Sequence, residues 1–512
     1  MGSARHRNGG ALDLMVPLDA KSEAPLYQQV CERLTQMVAD GVLKPGMRLP
    51  STRALSQKLA VSRNTVLMAY EHLTLDGLLT AGRGSGTFVS SDVSAVLSPS
   101  PTSASPVHKS GTVAGALPET PNLDRYQSLN QALQLSLPAK PFRSNFPAID
   151  AFPIRQWTEL TMRNLRNLPH SAQRELLGEG SASGDPALRE ALARHLGLAR
   201  GVQCRADNIL IFAGADQALD VVLRVVIGKE DPILCEDPCY KGTFASLATH
   251  SNKVYPVRVD AHGMCVEEAI ASHPDARAAY VFPSNQFPCS VTLSIERRRK
   301  LIDWAKMRHA WIIEADYDSE LRYSGRPLPS LHTLDENNLV IHIGTFGKVL
   351  FPSLRLGYAV VPDAILEACV GARAVAGRYP MFDQRLTSDF MNSGYFSRHL
   401  ARMRKLYAPR QTALLDALNK QLGERITVAP VETGMQVAAW LKGAEDDVVL
   451  SQIAAAQGLE ANAISSYAIE TPIQSGLVLG FAAFSEEEIR TAVLALKQAF
   501  AIYDGRHPHP SK

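Results

Sequence analysis

A run of 31 residues, Ser91 to Pro121, divides this chain in two. Twenty-one of them are Ser, Thr, Pro, Ala or Gly and three are charged. Such a run cannot bury enough apolar surface to offset the entropy of ordering it. It reads as a linker; an ordered loop of the larger piece is the other reading. About 90 residues precede it, enough for one small domain, and nearly 400 follow, enough for a large domain with a smaller lobe. The expected divisions are a tail at 1–22, a small domain at 23–90, a linker drawn over 91–138, a large domain at 139–390, a C-terminal lobe at 391–503 and a tail at 504–512. No internal repeat shows at solenoid periods.

Composition narrows the class without naming a partner. Hydrophobic residues are 46% and charged residues 20%, which fits a globular protein with a large core. Lys plus Arg is 53 against 51 for Asp plus Glu, so whole-chain charge is uninformative. The uncharged run Ala278 to Ile295 contains Pro283, Asn285, Gln286 and Pro288, which excludes a membrane span there. The N-terminus has no apolar signal core. Seven cysteines, an odd number without CxxC spacing, argue against a disulfide framework or a zinc cage and for a reducing, cytoplasmic setting.

In the first 90 residues, Leu26, Val30, Leu34 and Met37 or Val38 step at helical spacing. Gly and Pro in GVLKPGMRLPS break that helix, and Ser51 or Thr52 can cap a second, short one holding Leu55 and Leu59. Ala60 to Ser62 form a tight turn before a third helix, Arg63 to Leu75, with Val66, Ala69, Tyr70 and Leu73 inward. LLTAGRGSGTFV then reads as two short strands around a glycine-rich turn.

Two helices joined by a tight turn, the second polar at its outer N-terminal end, form a helix-turn-helix. Arg63, Asn64 and Thr65 face outward at that end, Arg53 lies near the start of the preceding helix, and Arg83 with Gly84 tips the hairpin, narrow enough for a minor groove. A structural three-helix domain with solvated arginines is the plainer reading, since basic residues exceed acidic ones only ten to seven here. The segment from Ala24 to Val89 resembles the winged helix-turn-helix of GntR-type bacterial regulators. That resemblance implies binding to double-stranded operator DNA through Arg53, Arg63, Thr65, Arg83 and Gly84, to which the outward-facing Asn64 adds a further candidate.

The larger piece alternates apolar runs (NILIF, PILCE, KVYPVRV, AAYVF, AWIIEA, LVIHI, RLGYAVV) with helical segments, which predicts an α/β domain with a mostly parallel sheet. Beyond Met391, helical patterns and strand candidates near Val428, Met435 to Trp440 and Leu477 to Ala482 predict a smaller α+β lobe.

Lys348 lies just past an apolar run, where partial desolvation frees an amine for a Schiff base; alone, it would more simply be a surface lysine. Thr345 and Arg355 flank it and suit a phosphate, as do Gly214 and Ala215 between a strand and a helix. Tyr240 offers a ring to lie on a pyridine, and Asn285 and Tyr317 offer hydrogen bonds to a phenolic oxygen. These elements, in this order, resemble the fold-type I pyridoxal-phosphate aminotransferases. With the N-terminal domain they resemble the MocR-type regulators, GntR relatives carrying an aminotransferase-like domain. The resemblance implies pyridoxal 5'-phosphate as cofactor, Lys348 as its attachment point, a small amine or amino-acid effector (or the cofactor itself) and a head-to-tail homodimer.

The departures from that pattern matter. The family motif EDDYDSE is EADYDSE here, so Ala315 stands where a carboxylate meets the pyridine nitrogen, and Asp316 is the remaining candidate. Gly347 replaces a hydroxyl, Asp216 puts a carboxylate at the phosphate helix, and Val478 stands nearest the arginine expected to hold a substrate carboxylate. These losses favour a sensor over an aminotransferase with an appended DNA-binding domain.

Overall fold

The protein is described from a computed structural model covering residues 18–19, 22, 24–82, 86–91, 123–132, 137–166, 170–325 and 328–506. It divides into two units, Met1–Thr120 and Pro121–Lys512.

The first unit has helices at Leu26–Ala39, Thr52–Leu59 and Arg63–Leu75, then strands β1 (Leu79–Gly82) and β2 (Gly86–Val89). Val30, Leu34 and Val38 of the first helix pack with Leu55, Val66, Ala69, Tyr70 and Leu73. The turn chemistry is visible atom by atom. Ser51 Oγ accepts from Ala54 N at 3.2 Å and Ser62 Oγ from Thr65 N at 3.0 Å, each cap contributing about 1 kcal/mol. Ala60 closes the second helix at φ 53°, in the left-handed region. Strands β1 and β2 pair antiparallel from Leu79↔Val89 to Gly82↔Gly86, so a short hairpin follows the helices as expected.

In the second unit all seven apolar runs become strands: β3 (Ile209–Phe212), β4 (Ile233–Asp237), β5 (Val254–Asp260), β7 (Ala278–Val281), β8 (Trp311–Asp316), β9 (Val340–Thr345) and β10 (Gly357–Val360). With the short β6 (Gly263–Met264) they form an eight-stranded sheet ordered β3-β10-β9-β8-β7-β4-β5-β6. Strands β4, β5, β7, β8 and β9 run parallel, while β10 and β6 are antiparallel to their neighbours. Both faces are covered. The Ala215–Val226 helix packs into one apolar layer and the Ile295–Arg308 helix into the other, which is why the central strands are almost continuously apolar. The smaller lobe has a sheet ordered β11-β12-β14-β13, made of β11 (Ile426–Val428), β12 (Gln436–Leu441), β13 (Asn462–Ala463) and β14 (Gly476–Gly480). Helices Tyr395–Leu422, Asp447–Ala456 and Glu486–Arg506 pack with it.

Three boundaries need correction. A helix, Leu123–Ala132, lies inside the stretch drawn as linker; no Pro or Gly occurs between Asn122 and Leu137 to stop it. It belongs to the second unit, where Tyr126 Oη lies 3.5 Å from Thr249 Oγ1. The start of the expected large domain docks on the small lobe instead: Phe142 bridges Gly480, and Arg143 grips Glu460 with two contacts of 2.5 and 2.7 Å. The last helix runs to Arg506, past residue 503, because Asp504 pairs with Arg425 at 2.8 Å.

Candidate functional site

On the first unit, Arg53, Arg63 and Asn64 are exposed at the starts of the second and third helices. Arg63 Nε reaches Thr52 Oγ1 at 3.4 Å, tying the two helix starts together. Thr65 is half-buried, with its hydroxyl 2.8 Å from Ser62 Oγ. Its main-chain amide and hydroxyl therefore serve the cap before they serve a ligand. Arg83 and Gly84 lie outside the described residues. Arg48 escaped the sequence reading: it bridges Phe88, and a Cβ placed on Gly86 would sit 2.9 Å from its Nε. That sets a third exposed guanidinium against the hairpin, and only the pairing of a loop with β2 puts it there.

On the second unit, Lys348 is half-buried in the turn after β9. Its Nζ donates to the carbonyl of Asn145 at 3.2 Å. Burial pushes its pKa down from 10.5 to about 8, Arg355 adds to the drop, and the carboxylates of Asp318 and Asp216 oppose it. Asn145 itself is held in the left-handed region at φ 58°, and its N–H donates to Gln436 Oε1 at 2.9 Å.

A second cluster forms beside it. Gly214, at φ 93°, opens the Ala215–Val226 helix with no side-chain cap, leaving helix-start amides and the dipole for an anion. Strand β10 brings Arg355 there, because a Cβ on Gly357 would lie 2.5 Å from the Gly214 carbonyl carbon. Asp216 points outward and pairs with Arg355 at 3.3 Å; both side chains are more than half exposed, so this pair is weak. Thr345 Oγ1 accepts from Gly347 N at 3.1 Å. Uncapped amides, a guanidinium and a hydroxyl are the donor set a phosphate requires.

Tyr240 starts the Lys241–His250 helix, and its ring meets Phe287 edge-on at 6.2 Å. Burial raises its pKa, and it feels the charges of both Asp216 and Arg355. Tyr317 Oη lies 3.0 Å from Tyr280 Oη, and burial raises its pKa as well. Asn285 Nδ2 donates to Asp318 Oδ2 at 2.7 Å, and a Cβ on Gly434 would collide with both side chains. Asp318 is the residue the sequence reading passed over; it stands one place after Tyr317 in the same motif. Burial lifts its carboxyl to about 6, against the pull of Asn285 and Lys348.

Asp316 lies on the opposite face of β8 from Tyr317 and is paired with Arg200. Side chains alternate along β8, so Asp316 points to the Glu314 face while Ala315 lies in the apolar layer that Tyr317 packs against. Its Oδ2 accepts from Arg200 Nη2 at 2.8 Å and Nε at 3.0 Å. Burial pulls its pKa upward, but Arg200, His342 and Ser319 together outweigh that and hold the carboxyl below its usual range. On the small lobe, Val478 is buried with Phe287, Ala438 and Ile464.

Residues 26–89 match the family described as bacterial regulatory proteins, gntR family, and residues 142–496 match aminotransferase class I and II. The chain is 34% identical to the probable rhizopine catabolism regulatory protein MocR of Rhizobium meliloti, over 95% of this chain and 96% of that protein. It is 29% identical to the pyridoxine biosynthesis transcriptional regulator PdxR of Corynebacterium glutamicum, over 96% and 99%. Among solved structures it resembles LysN, the α-aminoadipate aminotransferase of Thermus thermophilus, with a TM-score of 0.65 and 26% identity over 71% of this chain and 92% of that one.

Proposed function

This chain belongs to the MocR-type regulators, a GntR helix-turn-helix followed by a class I and II aminotransferase domain, and from that premise we propose a pyridoxal-phosphate-dependent DNA-binding regulator whose second unit senses a small amine. The observation that carries this reading is Lys348: a half-buried amine of lowered pKa, beside a cluster whose donors suit a phosphate, on a chain that also carries a helix-turn-helix.

When bound, pyridoxal phosphate supplies an aldehyde that condenses with primary amines. Lys348 would present its amine to that group; the carbonyl of Asn145 fixes its direction. The amides of Gly214, Ala215 and Asp216, with Thr345 and Arg355, would hold the phosphate; Tyr240 would hold the ring, and Asn285 and Tyr317 would donate to its oxygen. The ring nitrogen would meet no carboxylate from β8, since Ala315 is apolar and Asp316, on the opposite face, is bound to Arg200. A ring without that partner is a poor electron sink, which supports sensing over sustained amino-group transfer. Named relatives of the whole architecture are regulators. No described helix is long and apolar enough to cross a membrane.

The working form in this proposal is a homodimer, arranged head to tail, because one helix-turn-helix reads one half-site and paired half-sites need two-fold symmetry. Light scattering at micromolar concentration checks it; a monomer with and without DNA would refute it. The main test combines a visible spectrum, borohydride reduction and peptide mapping of the purified protein with gel shifts on a DNA site selected from a random pool. Cofactor reduced onto Lys348, and DNA binding that changes with an added amine, are the expected results. Sustained keto-acid turnover, with DNA binding indifferent to amines, would turn the reading to an aminotransferase.

A further inference from the structure

The Arg63–Leu75 helix buries one side and leaves the other bare. Val66, Ala69, Tyr70 and Leu73 enter the core of the first unit, and Tyr70 Oη also donates to the Pro50 carbonyl at 2.9 Å. The opposite side carries Arg63, Asn64, Leu67, Met68, Glu71 and His72, all exposed. Four-residue spacing puts Leu67 one turn on from Arg63, and Met68 one turn on from Asn64. Leu67 is 41% exposed and Met68 43%, and neither joins the apolar core.

The two ends of this bare side differ in charge. The first turn offers the Arg63 guanidinium and the Asn64 amide. Arg53 is exposed on the preceding helix, whose start Arg63 touches through Thr52 Oγ1 at 3.4 Å. The far end carries Glu71 and the His72–Asp76 pair, 3.1 Å apart. A polyanion is drawn to the first two turns and repelled from the last. Leu67 and Met68 thus form an apolar pair with donors before it and acids beyond it. Duplex DNA is the occupant that fits such an arrangement. Among the four bases, only thymine presents a methyl group in the major groove.

We propose that Leu67 and Met68 determine specificity by packing on thymine methyl groups in the major groove of the operator, beside the contact made by Arg63. This rests on reading the Arg63–Leu75 helix as the one that enters the groove. Four residues span about 6 Å of helix and base pairs stack about 3.4 Å apart, so the methyls should lie within about three base pairs of the Arg63 contact.

The test measures binding of the full-length protein to a DNA site selected from a random pool. Each thymine is replaced in turn by deoxyuridine, which lacks only the methyl. At one or two positions per half-site the parent is expected to lose about fourfold, the worth of one buried methyl. Leu67→Ala and Met68→Ala should each bind the thymine site more weakly and bind thymine and deoxyuridine equally at their own position. Both side chains are exposed, so both variants should fold, and thermal unfolding checks that they do. A parent indifferent to deoxyuridine at every position, or a methyl effect that persists in both variants, would overturn the inference. So would a selected site without thymine. Variants that bind DNA as the parent does but change its association state would assign the pair to a contact between copies instead. Arg63→Ala separates the two levels: weakened binding there with no methyl effect strikes the inference alone, while normal binding strikes the reading helix and the inference with it.

Discussion

Lys348 donates to the main-chain carbonyl of Asn145, 203 positions earlier in the chain, across 3.2 Å. The contact joins the turn after β9 to a loop whose neighbours dock on the small lobe, so the amine reports on how the two lobes sit together. Gln436 completes the link by accepting from Asn145 N.

Gln436→Leu removes that acceptor and leaves the Asn145 amide without its partner, which should cost about 1–3 kcal/mol of stability. Urea unfolding of the cofactor-free protein measures it. A variant as stable as the parent would mean that the amide is satisfied another way.

The lowered pKa of Lys348 predicts a pH profile. The neutral amine is the reactive form, so attachment of pyridoxal phosphate to the cofactor-free protein should accelerate as pH rises, with a midpoint at about 8 instead of the 10.5 of a free lysine. Asp318 stabilises the charged amine, so Asp318→Asn should move the midpoint to lower pH. Stopped-flow absorbance from mildly acidic to strongly basic pH follows both; a midpoint that rises in the variant contradicts the assigned sign.

Arg200→Met strands the buried carboxylate of Asp316 and should destabilise the second unit by about 3–5 kcal/mol. Ala315→Asp, by contrast, puts a carboxylate on the Tyr317 face and should shift the visible band of the bound cofactor. If Asp316→Asn shifts that band and Ala315→Asp does not, the strand-face assignment is mistaken.

Arg63→Ala should weaken binding to a selected DNA site by about 1–3 kcal/mol, roughly five- to 150-fold, and leave the cofactor absorbance unchanged. Gel shift and spectrum on one preparation separate the two effects. Normal DNA affinity in this variant would show that the Arg63–Leu75 helix is not the reading helix.

Much of the fold was legible because it is written within about fifteen residues at a time. Ser51, Ala60 and Ser62 mark helix ends by local turn chemistry, and seven apolar runs mark seven strands by their length and their breakers. Lys348, Thr345, Arg355, Gly214 and Ala215 stood out for the same reason: each sits next to a strand end or helix start that the pattern reveals. The helix at Leu123–Ala132 was also written locally, in an uninterrupted stretch without Pro or Gly, and was lost by extending the linker over it. What the chain order conceals is which way a side chain points and what waits there. Asp316 and Ala315 are adjacent in sequence, yet one residue of register sends them to opposite faces of the sheet, and Arg200 on a distant helix captures the first. Asn145 and Gln436 became parts of the lysine site only when the packing of two lobes brought segments hundreds of positions apart within hydrogen-bonding reach, and Asp318 only when its strand end met the Asn285 loop, 33 positions earlier. Period and turn chemistry are properties of a short segment, whereas an ion pair or a hydrogen bond between distant segments exists only after the core has closed around them.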